Sequence, residues 1–447
     1  MKRAFLASKQ GKIYFDIPST WKVITLADFK DDPSTKDVSI LTKRALRHPS
    51  NSAPLEQRIK PRDKVAVLVE DLTRASPKGA ILRILLRALE HAGVEDHRVT
   101  VVMSLGTHRA LTRKELKDTF GEDVVNRYTV VNHDCQADDL VPVAKLNTGT
   151  PVKLNRIVFD AAFRIGLGSI FPHPLNGFGG GGKILFPGVA DSESILTHHL
   201  KHSVAGGSRL GRLEGNPFYE EVTGIAKRVG LDFIINSVLD HQDRLYDVVA
   251  GDLMAAHLLG VQKSRQILSI PFEKKSDVTI ISSFPYSEGL QIMKPLAAAS
   301  MVTKAGGAIV LFADGAGGIP KAYAEACEAF RNEHGGRVQD GLLDCFTANR
   351  PIVPAGAPEL NMSLARALWT QEQFKVILVT EKIPEDRVEK LGFQVARDLR
   401  DAVGFITDLY TAPEVNVVPS GGMILPVVGR KDSIQYGRER YPKANSS

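Results

Sequence analysis

Residues 64–109, KVAVLVEDLTRASPKGAILRILLRALEHAGVEDHRVTVVMSLGTHR, decide the fold class of this chain. The run Lys64–Val69 is short, apolar and rich in valine, which is typical of a strand buried on both faces of a parallel sheet. A helix is predicted from about Ala80 to His91, with Gly93 as its C-cap. VTVVMSLGTHR at 99–109 predicts a second buried strand that ends in a loop. A strand, a helix and a strand at this spacing predict a βαβ unit.

The rest of the chain repeats this pattern and predicts two α/β domains with mostly parallel sheets and an active-site cleft between them. The first domain, residues 1–273, is predicted to continue with a strand at 163–170, a helix starting at Asp191 or Ser192, a hairpin over 232–252 and a helix at about 253–268. The charged run EKKSD marks the boundary. The second domain, residues 274–447, has predicted strands at 278–284, 307–312, 374–380 and 402–407, and a polar tail from about Arg430.

The composition is that of an ordinary globular protein, with 43% hydrophobic residues, 24% charged residues and a net charge of +6 spread along the chain. The one dense basic stretch, KRALR at 43–47, has no aromatic residues between its charges, so we expect no nucleic-acid partner. The 3 cysteines form no CxxC pair, which argues against a disulfide framework and a structural zinc site. No apolar run approaches the roughly 18 residues of a membrane span, and the first residues do not resemble a secretory signal. We therefore expect a cytoplasmic enzyme without membrane contact.

The stretch HPLNGFGGGGKILFPGVADSESILTHH at 173–199 combines three kinds of chemistry. Its four consecutive glycines allow backbone N–H groups to approach a phosphate closely. Lys183 can form a covalent bond to a carbonyl-type group, and the histidines at both ends can move protons or bind a metal. The stretch therefore indicates a nucleotide-like cofactor that is covalently attached.

Two other interpretations of this glycine–lysine segment stay open. Gly177, Gly182 and Lys183 match the GxxxxGK pattern of a P-loop-like nucleotide-binding protein. Against that interpretation, Ile184 replaces the hydroxyl residue that holds Mg²⁺, and Pro187 would interrupt the required helix. The second alternative is a purely structural glycine turn.

Polar side chains follow the predicted strands. Asp71, Thr73 and Arg74 come after the first strand, and His108 comes after the next. Because the carboxyl ends of parallel strands meet at one edge of a sheet, we expect these side chains to lie close together. Arg74 suits anion recognition there, although a capped turn would also explain the segment. His108 and His173 are candidates for proton transfer, and the alternative for each is a hydrogen-bonded histidine without catalytic function.

Gln291 and Lys294 follow the predicted strand at 278–284. Residues three apart share one face of a helix, so both side chains can point at the same ligand. The alternative is an ordinary amphipathic helix with a solvated polar face.

Together, Asp-x-Thr-Arg, Gly-x-His-Arg, His-Pro…GGGGK…PG…His and Gln-x-x-Lys resemble, in this order, the motifs of the lactate racemase family of nickel-pincer-nucleotide enzymes. The resemblance covers the chain from about residue 10 to about residue 425. It implies that Lys183 forms a thioamide link to the cofactor, a Ni(II) pyridinium-3-thioamide-5-thiocarboxylate mononucleotide. It also implies that His199 binds the nickel, in a square-planar site suited to Ni(II). His198 is adjacent, and the spacing from Lys183 favours His199.

The resemblance assigns roles to the remaining candidates. His108 and His173 match the two general acid/base histidines of the family. The positions implied to lie near the cofactor or the substrate anion are Asp71, Thr73, Arg74, Gly179, Gly180, Gly181, Gly182, Gln291 and Lys294. The implied reaction moves a hydride from C2 of a 2-hydroxy acid to the cofactor and returns it to the other face. The implied partners are a small-molecule 2-hydroxy acid and the proteins that make the cofactor.

Two departures from the family pattern bear on the substrate. Leu290 stands where lactate racemases of this family carry tyrosine, and residues 355–362 contain no tryptophan, with Trp369 several positions later. The resemblance therefore implies a substrate other than lactate, such as a sugar acid, a malate-like acid or an aryl-lactate. A non-catalytic homologue with the same fold is the remaining alternative, and the retained histidines and Lys183 argue against it.

Overall fold

The structure, a computed structural model, describes residues 2–27, 29, 36–204, 206–315, 318–353 and 358–429, and the predicted polar tail lies outside these ranges. Its strands are β1 (Lys2–Ser8), β2 (Gly11–Ile17), β3 (Lys22–Leu26), β4 (Val65–Glu70), β5 (Val99–Ser104), β6 (Thr129–Asn132), β7 (Val141–Lys145), β8 (Pro151–Leu154), β9 (Phe163–Ile170), β10 (Pro172–His173), β11 (Gly177–Phe178), β12 (Phe233–Leu239), β13 (Leu245–Gly251), β14 (Ser269–Phe272), β15 (Ser276–Ser282), β16 (Thr303–Phe312), β17 (Lys375–Val379), β18 (Gln394–Ala396), β19 (Glu414–Val418) and β20 (Leu425–Val428).

The α-helices are α1 (Val38–Arg47), α2 (Leu55–Arg58), α3 (Lys78–His91), α4 (Arg113–Phe120), α5 (Glu122–Arg127), α6 (Arg156–Asp160), α7 (Ser192–Val204), α8 (Pro217–Val229), α9 (Leu253–Leu268), α10 (Leu296–Val302), α11 (Lys321–His334), α12 (Val338–Thr347), α13 (Pro358–Gln373), α14 (Glu385–Lys390) and α15 (Leu399–Leu409). Short 3₁₀ helices lie at Asp96–Arg98, Gly181–Ile184 and Gly289–Met293. Within the described ranges, no helix has the length and apolar character that a bilayer span requires.

The first sheet confirms the predicted βαβ unit. Its strand order is β13-β12-β9-β4-β5-β6, and all neighbours are parallel except β12 and β13, which form the predicted hairpin. The valine run of β4 is buried on both faces: Val67 and Val69 pack with α3, whereas Ala66 and Leu68 pack with the segment after the glycine run and with α8. This double burial explains why the strand reads as a continuous apolar run.

The second sheet has the order β18-β17-β16-β15-β19-β3, and all of its neighbouring strands are parallel. Three of the four strands predicted for this part of the chain, at 278–284, 307–312 and 374–380, correspond to β15, β16 and β17. The two sheets together make a mixed α/β fold with mostly parallel strands, as predicted.

The prediction of a strand at 402–407 was wrong, because this segment belongs to helix α15. Asp398 caps the helix by accepting hydrogen bonds from the N–H groups of Arg400 at 2.7 Å and Asp401 at 2.9 Å. Ala402 and Ile406, four residues apart, are buried on one face of it. A short apolar run has the same composition in a buried strand and in a buried helix, so its pattern alone does not separate them.

Two strand pairs cross the predicted division between 1–273 and 274–447. The amino-terminal strand β3 lies at the edge of the second sheet, where it pairs with β19. β14 pairs with β20, which comes from near the end of the described chain. The division and the cleft between the two parts therefore stay predictions, and residues 2–27 would belong with the second part.

Candidate functional site

A cavity of about 930 Å³ opens at the carboxyl edge of the first sheet. β4, β5 and β9 are parallel, so the segments that follow them meet at this edge. Residues of α7, of the turn Gly289–Met293 and of α13 complete the wall. The candidate residues that line the cavity are Asp71, Thr73, Arg74, His108, His173, Gly179, Gly180, Lys183, His199, Gln291 and Lys294. The candidates Gly181 and Gly182 lie outside the wall.

Asp71 follows β4 and holds two neighbours in place. One carboxylate oxygen accepts hydrogen bonds from the Thr73 N–H at 3.0 Å and from the Thr73 hydroxyl at 2.5 Å, and the other accepts one from His108 Nδ1. Burial opposes the charge on Asp71, but the hydrogen bond from His108 and the nearby Arg74 outweigh it and lower the pKa of Asp71. A charged Asp71 keeps the proton of His108 on Nδ1, which leaves a lone pair on Nε2 at the cavity.

Arg74 is held at the cavity wall by local contacts. Its Nη1 donates to the Thr73 carbonyl and to the Thr73 hydroxyl, both at 3.0 Å. Its Cζ lies 4.9 Å from the centroid of the Phe171 ring. These contacts use one nitrogen of the guanidinium, so its other N–H groups are available to an anion in the cavity.

His173 and Lys183 meet in the cavity, where His173 Nε2 lies 3.0 Å from Lys183 Nζ. His173 Nδ1 accepts from the backbone N–H groups of Leu175 at 3.3 Å and Asn176 at 3.1 Å. Because Nδ1 is an acceptor, the proton of the neutral ring lies on Nε2. Burial, followed by the positive charge of Lys183, holds the pKa of His173 well below its usual range.

The surroundings of the Lys183 amine favour its uncharged, nucleophilic form. Burial is the main cause that lowers its pKa from 10.5 to about 7, and the positive charge of Arg74 adds to it while Asp71 opposes it. Near neutral pH a large fraction of this amine is therefore uncharged and has a free lone pair. The Nε2–H group of His173 can donate to that lone pair.

The lowered pKa predicts how Lys183 reacts in the apoprotein. Reductive methylation at several pH values should modify Lys183 with a half-maximal rate near pH 7, since only the uncharged amine reacts. In Arg74→Met the midpoint should shift to higher pH, because a neighbouring positive charge is removed. Peptide mass spectrometry measures the extent of labelling, with the exposed Lys227 as the reference. An Arg74→Met midpoint equal to that of the wild type would contradict the assigned cause.

The geometry separates the adjacent histidines of α7. His199 lines the cavity, and its Nδ1 donates to the Ile195 carbonyl at 2.8 Å. This bond leaves Nε2 with a lone pair, as in a metal-binding imidazole. Burial and the charge of Lys183 lower the pKa of His199 to about 3, which keeps the ring neutral. His198 is not part of the wall and packs against Phe218, with ring centroids 4.3 Å apart.

His198 belongs instead to a buried group with His202 and Glu221, whose possible ligand atoms all lie within 4.8 Å of one another. His202 Nε2 lies 2.7 Å from the Glu221 carboxylate, which is a hydrogen-bond distance. Two ligands of one tetrahedral metal ion are farther apart, at about 3.3 Å for bonds of about 2 Å. The pair therefore links α7 to α8 as a hydrogen bond.

The glycine run packs too closely for any side chain. An added Cβ on any of the four glycines would lie 2.8–2.9 Å from a neighbouring atom. Gly181–Ile184 forms a 3₁₀ turn, and no α-helix begins at Lys183, so the segment lacks the helix N-terminus of an NTPase phosphate loop. The run brings the backbone against β9 and α9 and holds Lys183 at the cavity wall.

Gly181→Ala tests this packing role. The residue has φ +57°, and a Cβ would lie 2.9 Å from the His257 ring, so the free energy of unfolding should fall by roughly 1–3 kcal/mol. Gly224→Ala is the matched control, because Gly224 lies in α8 with no atom within 4 Å of its Cβ position. That control should gain about 0.5–1 kcal/mol of stability. Urea unfolding measures both changes, and equal stability of the two variants would rule out the packing role.

Gln291 and Lys294 lie at a 3₁₀ helix, in which residues three apart project from the same side. Lys294 Nζ lies 4.5 Å from the centroid of the Tyr286 ring. Among the described residues, neither Lys294 Nζ nor Gln291 Oε1 has a hydrogen-bond partner. Burial, and then neighbouring positive charges, hold the pKa of Lys294 well below its usual range. Two unsatisfied polar groups at one cavity indicate that a ligand completes their hydrogen bonds.

Sequence reasoning missed three residues around the cavity. Glu70 directly precedes Asp71, accepts a hydrogen bond from the Ser169 hydroxyl at 2.8 Å, and has a pKa raised by burial. Tyr286 lies beneath Lys294, and burial raises the pKa of its phenol to about 12. Arg366 lines the cavity from α13, and no local motif marks it in the sequence.

Comparisons with known proteins agree with this architecture. Residues 9–211 match the lactate racemase N-terminal domain family. The lactate racemase of Lactiplantibacillus plantarum is 31% identical over 395 residues, which cover 85% of this chain and 88% of that protein. The lactate racemase of Thermoanaerobacterium thermosaccharolyticum is 27% identical over 431 residues, which cover 93% and 97%.

The solved structures establish the fold. The lactate racemase apoprotein from T. thermosaccharolyticum matches with a TM-score of 0.84 at 24% identity, covering 95% of this chain and 100% of that chain. A protein structure from Thermotoga maritima matches with a TM-score of 0.58 at 19% identity, covering 90% and 100%. The relatives support a racemase function, and identity of 31% over 85% of the chain decides the family. The chain belongs to the lactate racemase family.

Proposed function

We propose that this protein interconverts the C2 stereoisomers of a 2-hydroxy acid other than lactate, using a nickel-pincer nucleotide attached to Lys183. The observation that carries the proposal is the pair His108 and His173 on the wall of one cavity. In the neutral rings, the hydrogen bonds at Nδ1 assign a lone pair to Nε2 of His108 and a proton to Nε2 of His173. A racemase needs one group that takes a proton and another that gives one.

The residues at the cavity fit this cofactor. Lys183 offers an amine whose pKa is lowered to about 7, which suits acylation near neutral pH. His199 offers a neutral imidazole whose Nδ1 is already bonded to a backbone carbonyl, which suits coordination through Nε2. Gly179 and Gly180 leave their backbone at the wall free of side chains. When bound, the cofactor would supply a centre that accepts and returns a hydride.

The two histidines would handle the proton of the substrate hydroxyl. His108 takes it at Nε2, and the charged Asp71 bonded to Nδ1 stabilises the resulting imidazolium. On the opposite face His173 would play the same part, and it would return the proton as an imidazolium, because a neutral ring that gave up its Nε2 proton would be left as an imidazolate. Burial, followed by the positive charge of Lys183, lowers the pKa of His173, and acylation of Lys183 would remove that charge. Attachment of the cofactor would therefore raise the basicity of His173.

Three polar side chains would bind the substrate carboxylate. Arg74 and Lys294 supply positive charge, and Gln291 supplies an amide, all at the same cavity. Lys294 has no other hydrogen-bond partner among the described residues, and its lowered pKa reflects burial and the charges of Arg74 and Lys183. A bound carboxylate relieves this repulsion, so it should bind tightly and should also restore the charge of Lys294.

A substrate screen with nickel-loaded holoprotein tests the proposal. Enantiopure 2-hydroxy acids, including lactate, malate, phenyl-lactate and sugar acids, are incubated with protein whose Lys183 adduct has been verified by mass. Chiral chromatography should reveal interconversion of at least one acid faster than of lactate. Deuterium placed at C2 should remain there, because a returned hydride does not exchange with water. Holoprotein that leaves every acid unchanged, or that exchanges the C2 label with water, would refute the proposal.

A further inference from the structure

Arg366 places a guanidinium in the part of the cavity wall that helix α13 forms. Helix α13 packs both on α7, which carries His199, and on the turn Gly289–Met293. Met362, four residues before Arg366, and Trp369, three residues after it, also line the cavity. Residues at these spacings share one helix face, so Arg366 lies on the face of α13 that the cavity exposes.

Within the described ranges, no counter-charge accompanies this arginine. Among the residues of these ranges, the only hydrogen bond involving Arg366 outside the helix ladder goes from the Thr370 hydroxyl to its backbone carbonyl. The same residues provide no ion pair to the guanidinium, and burial is the one cause that lowers the pKa of Arg366. Arginine stays charged under all working conditions, so the guanidinium is available to pair with an anionic group of a ligand in the cavity.

Arg366 lies on a different element of the cavity wall from the other basic residues. Arg74 follows β4, Lys183 follows the glycine run and Lys294 follows the turn Gly289–Met293, whereas Arg366 belongs to α13. A ligand with two anionic groups can therefore engage basic side chains on both parts of the wall.

We propose that Arg366 binds a second anionic group of the substrate, and that the substrate is a 2-hydroxydicarboxylate. This inference rests on the proposed racemase function, which places the carboxylate next to C2 at Arg74. The apolar side chains of Met362, Trp369 and Leu290 line the same cavity and suit the methylene groups between the two carboxylates. A phosphate of the cofactor is the other anion that a guanidinium would bind, and the experiment distinguishes the two sources.

The test compares matched acids on holoprotein. 2-Hydroxysuccinate, 2-hydroxyglutarate and 2-hydroxyadipate are each paired with the monocarboxylate of the same length. Wild-type kcat/KM should favour the diacid in at least one pair. Arg366→Met should lower kcat/KM for that diacid by about 10- to 100-fold, chiefly through KM, and leave the monoacid within about twofold. Arg366→Lys should recover part of the loss, and Arg400→Met, at an exposed site on α15, should change nothing.

Two further measurements separate the ways in which the inference can fail. Calorimetric titration of apoprotein with the unreactive diacids glutarate and adipate should show binding that Arg366→Met removes, independently of any turnover. Wild-type protein that racemises monoacids without preferring diacids, with Arg366→Met indifferent, would overturn the inference and leave the racemase function intact. Loss of the Lys183 adduct or of nickel in Arg366→Met would also overturn it, because the arginine would then hold the cofactor phosphate. Holoprotein inactive on every acid would instead count against the racemase function.

Discussion

Lys183→Ala is expected to remove the covalent cofactor and to lower racemase activity by at least about 10⁶-fold, to below detection. The reason is chemical: no amino-acid side chain accepts a hydride, so the cavity residues that remain cannot carry out the redox step. The intact mass of the variant should equal that of the bare chain, whereas the wild-type protein should carry the adduct. Both masses are measured on proteins coexpressed with the enzymes that make the cofactor.

Lys183→Arg sharpens the test, because it keeps the positive charge and most of the volume but has no amine that can be acylated near neutral pH. It should also lack the adduct and the activity. Lys227→Ala, at an exposed position on α8, is the matched control and should keep both. Near-wild-type thermal unfolding of Lys183→Ala is expected, since burial disfavours the charged amine that the substitution removes. An adduct or full activity in either Lys183 variant would show that the cofactor is attached elsewhere.

The part of the site that the sequence predicted depends on local pattern. Valine-rich runs in the sequence predict strands that are buried on both faces. The polar residues that directly follow such strands lie at one edge of a parallel sheet. The strand pattern alone predicts that Asp71 and His108 lie close together, and Asp71 does accept a hydrogen bond from His108. Lys183 and His173 are near one another in sequence, and their side chains lie 3.0 Å apart.

The part that the sequence did not predict depends on packing between distant segments. Arg366 lines the cavity because α13 packs on α7 and on the turn Gly289–Met293. The residue pattern of one helix face does not identify the segments against which that face packs. The pairing of β3 with β19 joins opposite ends of the chain for the same reason. The adjacent histidines His198 and His199 differ in their three-dimensional surroundings, since only His199 lines the cavity and bonds through Nδ1 to the Ile195 carbonyl.

His108→Ala and His173→Ala are expected to lower the rate of enantiomer interconversion by about 10²–10⁴-fold each. Each ring is proposed to take up or return the hydroxyl proton on one face of the substrate. A variant that lacks one ring therefore keeps proton transfer on the other face only. In a single turnover with pure enantiomers, one variant should therefore form the 2-oxo acid from one enantiomer only, and the other variant from the opposite enantiomer only. Trapping the 2-oxo acid with a hydrazine measures this preference directly.

Asp71→Asn links this prediction to the observed geometry. An amide cannot hold the proton of His108 on Nδ1 as a carboxylate does, so the variant should show the enantiomer preference of His108→Ala in a weaker form. His97→Ala, at an exposed position, should behave like the wild type, and all variants should keep the Lys183 adduct. Equal loss of both enantiomers in His108→Ala and His173→Ala, with the adduct present, would mean that the rings do not serve opposite faces. Full activity in both variants would show that neither ring takes part in the proton transfer.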